Sequence, residues 1–182
     1  MVIDAVMERL FHRPYDRNGR KAATGKVLDR VVAEFLRQSF FRRKPPKTAG
    51  REEFGREFAE KFVRRCGRVP ARDVVATATA LTARSIADAL QRFVLRRRGS
   101  YREFIVSGGG TKNPTLMTML AMELRPLNLK IRRSDEFGIP SEAKEAAAFA
   151  LLAYETWRRR PSNVPSATGA ERSAILGKIS YA

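Results

Sequence analysis

Residues 104–117 read FIVSGGGTKNPTLM, and the change of pattern within this stretch decides the fold. The residues at 103–106 include one aromatic and two β-branched side chains, which is typical of a buried strand. Three glycines follow. Asn113 and Pro114 then stand where a helix cap and a first helical residue are preferred. The order of strand, glycine turn and capped helix predicts an α/β fold.

The glycine turn is also a candidate ligand site. Gly108, Gly109 and Gly110 allow the backbone to approach a ligand closely, and the start of the following helix offers free N–H groups and a partial positive charge. Phosphate groups and nucleotides suit this geometry. The string matches neither the Walker pattern nor the dinucleotide fingerprint. On these residues alone, a tight turn without a ligand explains the string equally well.

The remaining residues predict how the chain is organised around this turn. Apolar periodicity predicts helices at 4–11, 24–40, 51–65 and 71–97 in the first half. The second half is predicted to contain strands at 103–106, 129–133 and 174–179, with helices at 114–124 and 141–157. We therefore expect a single lobe over 1–182, in which a mainly helical part (1–98) covers a β-α-β-α part (99–182) with a short mixed sheet.

Composition excludes several classes of protein. The chain has 182 residues, of which 43% are hydrophobic, enough for one domain with a real core. No apolar run approaches the length of a membrane-spanning helix, and the acidic N-terminal residues do not fit a signal peptide. A single cysteine, Cys66, excludes an internal disulfide framework and a zinc site built from cysteines. We expect a cytoplasmic protein without a membrane partner.

The chain is strongly basic, with a formal net charge of +17. The excess lies mainly in the first half, in clusters at 42–44, 64–68 and 96–98. Such clusters could displace counterions from nucleic-acid phosphates. The sequence contains neither a zinc finger nor an aromatic ribonucleoprotein-type strand, so a solvated arginine-rich surface is the favoured interpretation. Nucleic acid or another anionic surface is the less favoured partner.

Several strings, in a fixed order, resemble the C-terminal part of the anhydro-N-acetylmuramic acid kinase family. They are PYDRNGRKAATG (14–25), PPKTAGREEFG (45–55), FIVSGGGTKNPTLM (104–117), SDEFGIPSEAKEAAAFALLAYETW (134–157) and PSNVPSATGA (161–170). Together they extend over nearly the whole chain. The family belongs to the actin, hexokinase and Hsp70 superfamily of two-lobed ATPases. The resemblance thus implies the C-terminal lobe of an actin-like, ribonuclease H-like fold.

The resemblance implies an ATP- and Mg²⁺-dependent sugar kinase. The family opens the ring of 1,6-anhydro-N-acetylmuramic acid and phosphorylates the 6-hydroxyl in peptidoglycan recycling. It implies that Gly108, Gly109 and Gly110 bind the nucleotide with Asn113 beside them, and that Glu145 contacts the sugar. Asn113 also suits a helix cap, and Glu145 also suits an exposed position near a helix start. No metal ligand is predicted within the chain.

The resemblance also indicates what the chain lacks. In the family, a DTGPGN-type motif containing the catalytic aspartate precedes the string MVIDA, and a glycine-rich segment of the first lobe lies further upstream. Because this string begins the chain, we expect a second lobe that has no catalytic residue of its own and is inactive alone. The expected partners are the sugar substrate and an N-terminal lobe or upstream chain, with a homodimer as a further option.

Two other classes of function stay open at this point. One is a basic module that binds nucleic acid or an anionic surface, and the other is a non-catalytic nucleotide-binding remnant. The glycine turn separates the first of these from an enzyme lobe. A kinase lobe needs the turn, whereas a polyanion binder needs only the arginine clusters.

Overall fold

The computed structural model describes residues 2–95 and 101–180, so the predicted basic cluster at 96–98 lies outside the described residues. The first half is mainly helical. It contains α1 (Val2–Phe11), α2 (Arg20–Ala23), α3 (Asp29–Leu36), α4 (Ser39–Arg42), α5 (Arg51–Phe54), α6 (Arg56–Cys66) and α7 (Ala71–Ala89). The second half contains β1 (Glu103–Val106), α8 (Pro114–Leu124), β2 (Lys130–Arg133), α9 (Lys144–Trp157) and α10 (Pro165–Thr168). No described helix combines the length and apolarity needed to cross a membrane.

Helix α7 is the centre of the helical part. Most of its residues are buried, and many of them are alanines, whose small side chains let α1, α2 and α3 lie close against it. Two threonines are also fully buried. The hydroxyl of Thr77 donates to the Asp73 carbonyl at 2.6 Å, and that of Thr79 donates to the Val75 carbonyl at 2.9 Å. Their burial therefore leaves neither hydroxyl donor unpaired.

Phenylalanines join the outer helices to this core. Phe35 of α3 meets Phe62 of α6 edge to face, with ring centroids 4.9 Å apart, and Phe58 lies 5.3 Å from Phe35. Phe54 continues the row at 5.1 Å from Phe58. Edge-to-face pairs of this kind contribute roughly 0.5–1.5 kcal/mol each beyond the area that they bury. Phe54, Phe58 and Phe62, which are spaced four residues apart, therefore form a packed row of rings in the core.

The two strands form a parallel sheet, with Phe104 opposite Ile131 and Val106 opposite Arg133. Parallel strands need a crossover connection, which α8 supplies. The apolar side chains of one sheet face pack against α7 and α8. This second cluster contains Ala83, Ala87, Leu120, Leu124 and Leu129, with Phe104, Val106 and Ile131 packed against it. The predicted α/β arrangement of 103–133 is confirmed.

Helix α9 forms as predicted but begins three residues later than expected, at Lys144, and it does not pack into the core. None of its residues is buried. Phe149 is 70% exposed and Trp157 is 67% exposed. Within the described residues, therefore, α7 and α8 cover one face of the sheet and α9 presents a row of large apolar side chains to solvent.

The predicted helix 24–40 is confirmed only in part. Within this range the chain is helical in α3 and from the start of α4, whereas residues 24–28 and 37–38 are not helical. Between α2 and α3, the backbone N–H of Lys26 donates to Asp73 Oδ1 at 2.9 Å, and that of Leu28 donates to Thr77 Oγ1 at 3.0 Å. These side chains of α7 replace the hydrogen bonds that a continuous helix would make. The sequence did not indicate this break because the competing acceptors are almost fifty residues away.

The predicted strand at 174–179 is also wrong. This segment forms isolated hydrogen bonds instead of a ladder: the Ala174 N–H donates to Asn163 Oδ1 at 2.6 Å, and the Thr156 hydroxyl donates to the Leu176 carbonyl. The segment therefore lies against the end of α9 and the loop that follows it, where no strand is available for pairing among the described residues.

Two further predicted helices have different ends in the structure. The helix predicted at 51–65 is divided into α5 and α6, because Gly55 has a non-helical ψ of −144°. The helix predicted at 71–97 is α-helical only to Ala89 and continues as a π-helical turn, Leu90–Val94. Residues 96 and 97 lie outside the described residues.

Candidate functional site

The candidate site lies where the two parallel strands end. The glycine turn follows β1, and the loop at 134–143 follows β2. Because parallel strands end at the same edge of a sheet, these two connections are neighbours. The edge at the carboxyl ends of parallel strands is the usual ligand-binding edge of α/β proteins.

The glycine turn is closed by its own hydrogen bonds. Gly108 has a φ of +89°, a conformation that favours glycine. The Gly108 carbonyl accepts from the Thr111 N–H at 3.1 Å and from the Thr111 hydroxyl at 2.8 Å. A 3-10 turn, Gly109–Lys112, leads into α8. The predicted tight strand-to-helix turn is confirmed.

Open space surrounds the first two glycines of this turn. A Cβ atom placed on Gly108 or Gly109 would meet no heavy atom within 4 Å. Packing within the chain therefore does not explain why Gly109 lacks a side chain. Close approach of a ligand to the backbone would explain it.

Asn113 caps α8. Its Oδ1 accepts the Leu116 N–H at 2.9 Å, and Pro114 occupies the first helical position. The capping role of Asn113 is thus confirmed. Its role in nucleotide binding stays a prediction, although Asn113 lies on the rim of the cleft described next.

A cleft of about 1180 Å³ opens beside the glycine turn. Gly109, Gly110, Lys112 and Asn113 form one rim. The opposite walls come from α1, the turn at 14–18, the segment at 40–54 and the C-terminal half of α7, and include Asp4, Tyr15, Phe40, Lys47, Thr82 and Ser85. The mixture of aromatic surface, hydroxyls and charges suits a polar organic ligand.

Lys47 places a cation on the wall of the cleft. Its ammonium group donates to the Phe40 carbonyl at 3.0 Å and lies 5.0 Å from the centre of the Phe40 ring. Burial lowers the pKa of Lys47, and the charge of nearby Arg43 lowers the pKa further. The lysine therefore holds the segment at 40–47 in place as part of the wall.

A second contact with α8 comes from the PYDRNG turn at 14–19. A Cβ on Gly19 would lie 2.3 Å from Asn113 Oδ1 and 2.5 Å from Thr115 Oγ1. The Thr115 hydroxyl donates to the Gly19 carbonyl at 2.9 Å. Buried Asp16 closes the turn by accepting the backbone N–H groups of Lys21 and Ala22, each at 2.9 Å. The turn therefore braces the start of α8.

This contact was not predicted from the sequence. The one signal that could have found it was the presence of the PYDRNG turn among the strings that resemble the kinase family. Turn composition alone says nothing about what a turn contacts.

Glu145 lies apart from the cleft. It is exposed in the first turn of α9 and is not among the residues that line the cleft. The structure therefore brings the glycine turn and Asn113 together but does not bring Glu145 to them. A carboxylate in a first helical turn is favoured by the helix dipole. The sugar-binding role of Glu145 stays a prediction.

The basic surface is partly neutralised by ion pairs. Arg65 donates to Glu34 at 2.6 Å, and Arg64 lies 4.0 Å from Glu60. Over residues 2–95 and 101–180, no group of three or more His, Cys, Asp or Glu side chains is arranged to hold a metal ion.

Comparison with known proteins decides the family. A sequence model of the anhydro-N-acetylmuramic acid kinases matches residues 1–182. The chain belongs to the anhydro-N-acetylmuramic acid kinase family. Its similarity to anhydro-N-acetylmuramic acid kinases from Bacillus cereus (strain AH187) and Bacillus thuringiensis subsp. konkukian (strain 97-27) is 42% identity over 181 residues in each case. The match covers 100% of this chain and 47% of each relative.

The resemblance seen in the sequence is thereby confirmed, and its extent is defined. The chain spans about half the length of the curated anhydro-N-acetylmuramic acid kinases it matches. The glycine turn, the PYDRNG turn and α9 all fall within this shared half.

The contact between Gly19 and α8 predicts a large effect of Gly19→Ala. A left-handed φ costs alanine roughly 1–2 kcal/mol, and the clash with Asn113 and Thr115 should add about 1–3 kcal/mol of overpacking. Gly138 has a similar φ of +78°, but a Cβ there would meet no heavy atom within 4 Å. Gly138→Ala should therefore lose only the first amount. Urea unfolding of both variants measures the difference, and equal losses would contradict the contact.

Proposed function

We propose that residues 1–182 form the nucleotide-facing lobe of a kinase that opens and 6-phosphorylates 1,6-anhydro-N-acetylmuramic acid. The observation that supports this most is the glycine turn at the carboxyl edge of the sheet, opening into a cleft in a chain of this family. A module that binds polyanions through arginine clusters needs neither the turn nor the cleft. The setting that fits this function is peptidoglycan recycling in the bacterial cytoplasm.

The fold we assign is the C-terminal lobe of an actin-like ATPase. Two parallel strands joined by α8, with α7 on the same face, are compatible with part of such a lobe. The exposed apolar residues of α9, such as Phe149 and Trp157, are suited to burial against another surface. We assign that surface to the half of the relatives that this chain does not span.

In this proposal the phosphates of ATP lie against the turn from Gly108 to Gly110. Backbone N–H groups near the start of α8 would donate to the phosphate oxygens, and Lys112 lies on the same rim of the cleft. Magnesium would offset the phosphate charge when bound. We assign no magnesium ligand within the described residues, which contain no group of three or more His, Cys, Asp or Glu side chains arranged to hold a metal ion.

The chemistry itself needs a base that we place outside residues 1–182. In the proposed reaction, water adds to the anomeric carbon as the bond from that carbon to the 6-oxygen breaks. The freed 6-oxygen then takes the γ-phosphoryl group and ADP leaves. An aspartate in the half of the relatives that the chain does not span would accept the proton from water. Glu145 would accept hydrogen bonds from sugar hydroxyls.

Gly109→Ala tests the nucleotide site. The added Cβ meets open space, so the free energy of unfolding should change little. The methyl group would instead occupy the path of the phosphates and weaken ATP binding by about tenfold, since displacing one good polar contact costs roughly 1–2 kcal/mol. Titration calorimetry with Mg²⁺ and ATP measures both proteins.

Gly67→Ala is the matched control, because it adds the same atom into open space at the end of α6, outside the residues that line the cleft. We expect its affinity for ATP to equal that of the unsubstituted chain. Binding that is unaffected by Gly109→Ala, or equally weakened by Gly67→Ala, would count against the assignment.

The chain alone should release no phosphorylated sugar from ATP and anhydro-N-acetylmuramic acid. A general base supplies roughly 100- to 10,000-fold of rate, and correct positioning supplies about 7–11 kcal/mol of barrier reduction. The assay compares residues 1–182 alone with a mixture that contains the uncovered half of a Bacillus cereus relative. Turnover only on mixing supports the proposal, whereas turnover by 1–182 alone at an ordinary enzyme rate would refute it.

A further inference from the structure

The loop after β2 is joined to the glycine turn by direct hydrogen bonds. The Gly108 N–H donates to the Ser141 carbonyl at 3.0 Å. Nearby, the Arg133 guanidinium donates to the Thr111 carbonyl at 3.2 Å, and Lys112 pairs with Glu142. The position of the glycine turn therefore depends on the conformation of the loop at 134–143.

Asp135 holds Ser141 at two points. Its Oδ1 accepts the Ser141 N–H at 3.1 Å, and its Oδ2 accepts the Ser141 hydroxyl. The hydroxyl of Ser134 lies 3.3 Å from the same Ser141 hydroxyl, and both serines are buried. One carboxylate thereby fixes the residue whose carbonyl receives the Gly108 N–H.

We propose that Asp135 is the positioning residue of the glycine turn, acting through Ser141 on the amide of Gly108. Gly108 has a φ of +89°, and a Cβ there would meet no heavy atom within 4 Å, so packing does not restrain it. Thr111 binds its carbonyl, and the Ser141 carbonyl binds its N–H. With both peptide planes of Gly108 held, the neighbouring N–H groups of Gly109 and Gly110 keep one orientation. The value of this to the enzyme rests on the proposed nucleotide site.

The charge on Asp135 suits this role. Hydrogen bonds from Ser141 lower the pKa of Asp135, and the positive charge of Arg133 lowers it further. Asp135 itself is exposed to solvent, so its bonds add little to the buried core. Asp135 and Ser141 also fix the start of the segment that leads into α9. The loop after β2 and the glycine turn after β1 are thereby linked at this edge of the sheet.

The test compares Asp135→Ala and Ser141→Ala with Glu136→Ala. Glu136 is a carboxylate in the same loop that accepts the Arg133 N–H at 2.7 Å and also pairs with Arg132, and no described bond joins it to Ser141. Amide hydrogen exchange of Gly108 in the full 182-residue chain is the first readout. Asp135→Ala should raise this exchange rate by about tenfold, because the loss of a hydrogen bond to a charged group shifts a conformational equilibrium by roughly this factor. Ser141→Ala should raise it less, Ser141→Thr should restore it, and Glu136→Ala should leave it unchanged.

Unfolding in urea separates positioning from general stability. If Asp135→Ala speeds exchange at Gly108 while the urea midpoint stays close to that of the unsubstituted chain, the proposal is supported. An unchanged Gly108 rate, or equal acceleration by Glu136→Ala, would overturn it.

Calorimetry with Mg²⁺ and ATP distinguishes this inference from the proposed function. If the unsubstituted chain binds ATP, Asp135→Ala should raise the Kd by about three- to tenfold, and an unchanged Kd would overturn the positioning role. If the unsubstituted chain binds no ATP, the proposed nucleotide site has failed. The exchange of the Gly108 amide then decides alone whether Asp135 positions the turn.

Discussion

The close packing of α7 against α8 is the constraint on which the rest of the structure depends. Ala83 and Ala87 are buried where α7 meets Leu120 and Leu124 of α8. Small side chains at such a crossing allow a short distance between helix axes. Because α8 also covers the sheet and carries Asn113 at its start, this packing determines where the glycine turn lies relative to the helical part.

The opposite end of α7 organises the chain that returns to the site. Asp73 and Thr77 bind the backbone at Lys26 and Leu28. Gly25 lies so close to α7 that a Cβ there would be 2.2 Å from the Arg72 carbonyl. These contacts fix α2 and the PYDRNG turn before it, and that turn then meets the start of α8. The glycine turn is therefore positioned both by the packing of α7 against α8 and by the contact of the PYDRNG turn with the start of α8.

Local sequence patterns were sufficient where the structure depends on neighbouring residues. The β1 strand, the glycine turn and the Asn113 cap all follow from a few consecutive residues, and each is present in the structure. The predicted helix 24–40 does not form at 24–28, because acceptors on a distant helix compete for the backbone there. The predicted strand 174–179 failed because β propensity cannot supply a pairing partner.

The site itself was predictable only in part. Gly109, Gly110 and Asn113 line the cleft, but Gly108, which was predicted together with them, is not among its lining residues. The opposite walls of the cleft and the link from Asp135 to Gly108 depend on how separate elements pack.

Native-state hydrogen exchange is the most direct test of the claim that the α7–α8 packing unites the helical part and the sheet into one lobe. We predict that the most protected amides of α7, α8, β1 and β2 share one free energy of opening, as expected for a single cooperative unit. If the amides of α8 and both strands exchange through an opening of clearly lower free energy while α7 stays protected, the two parts are separate units and the claim is contradicted.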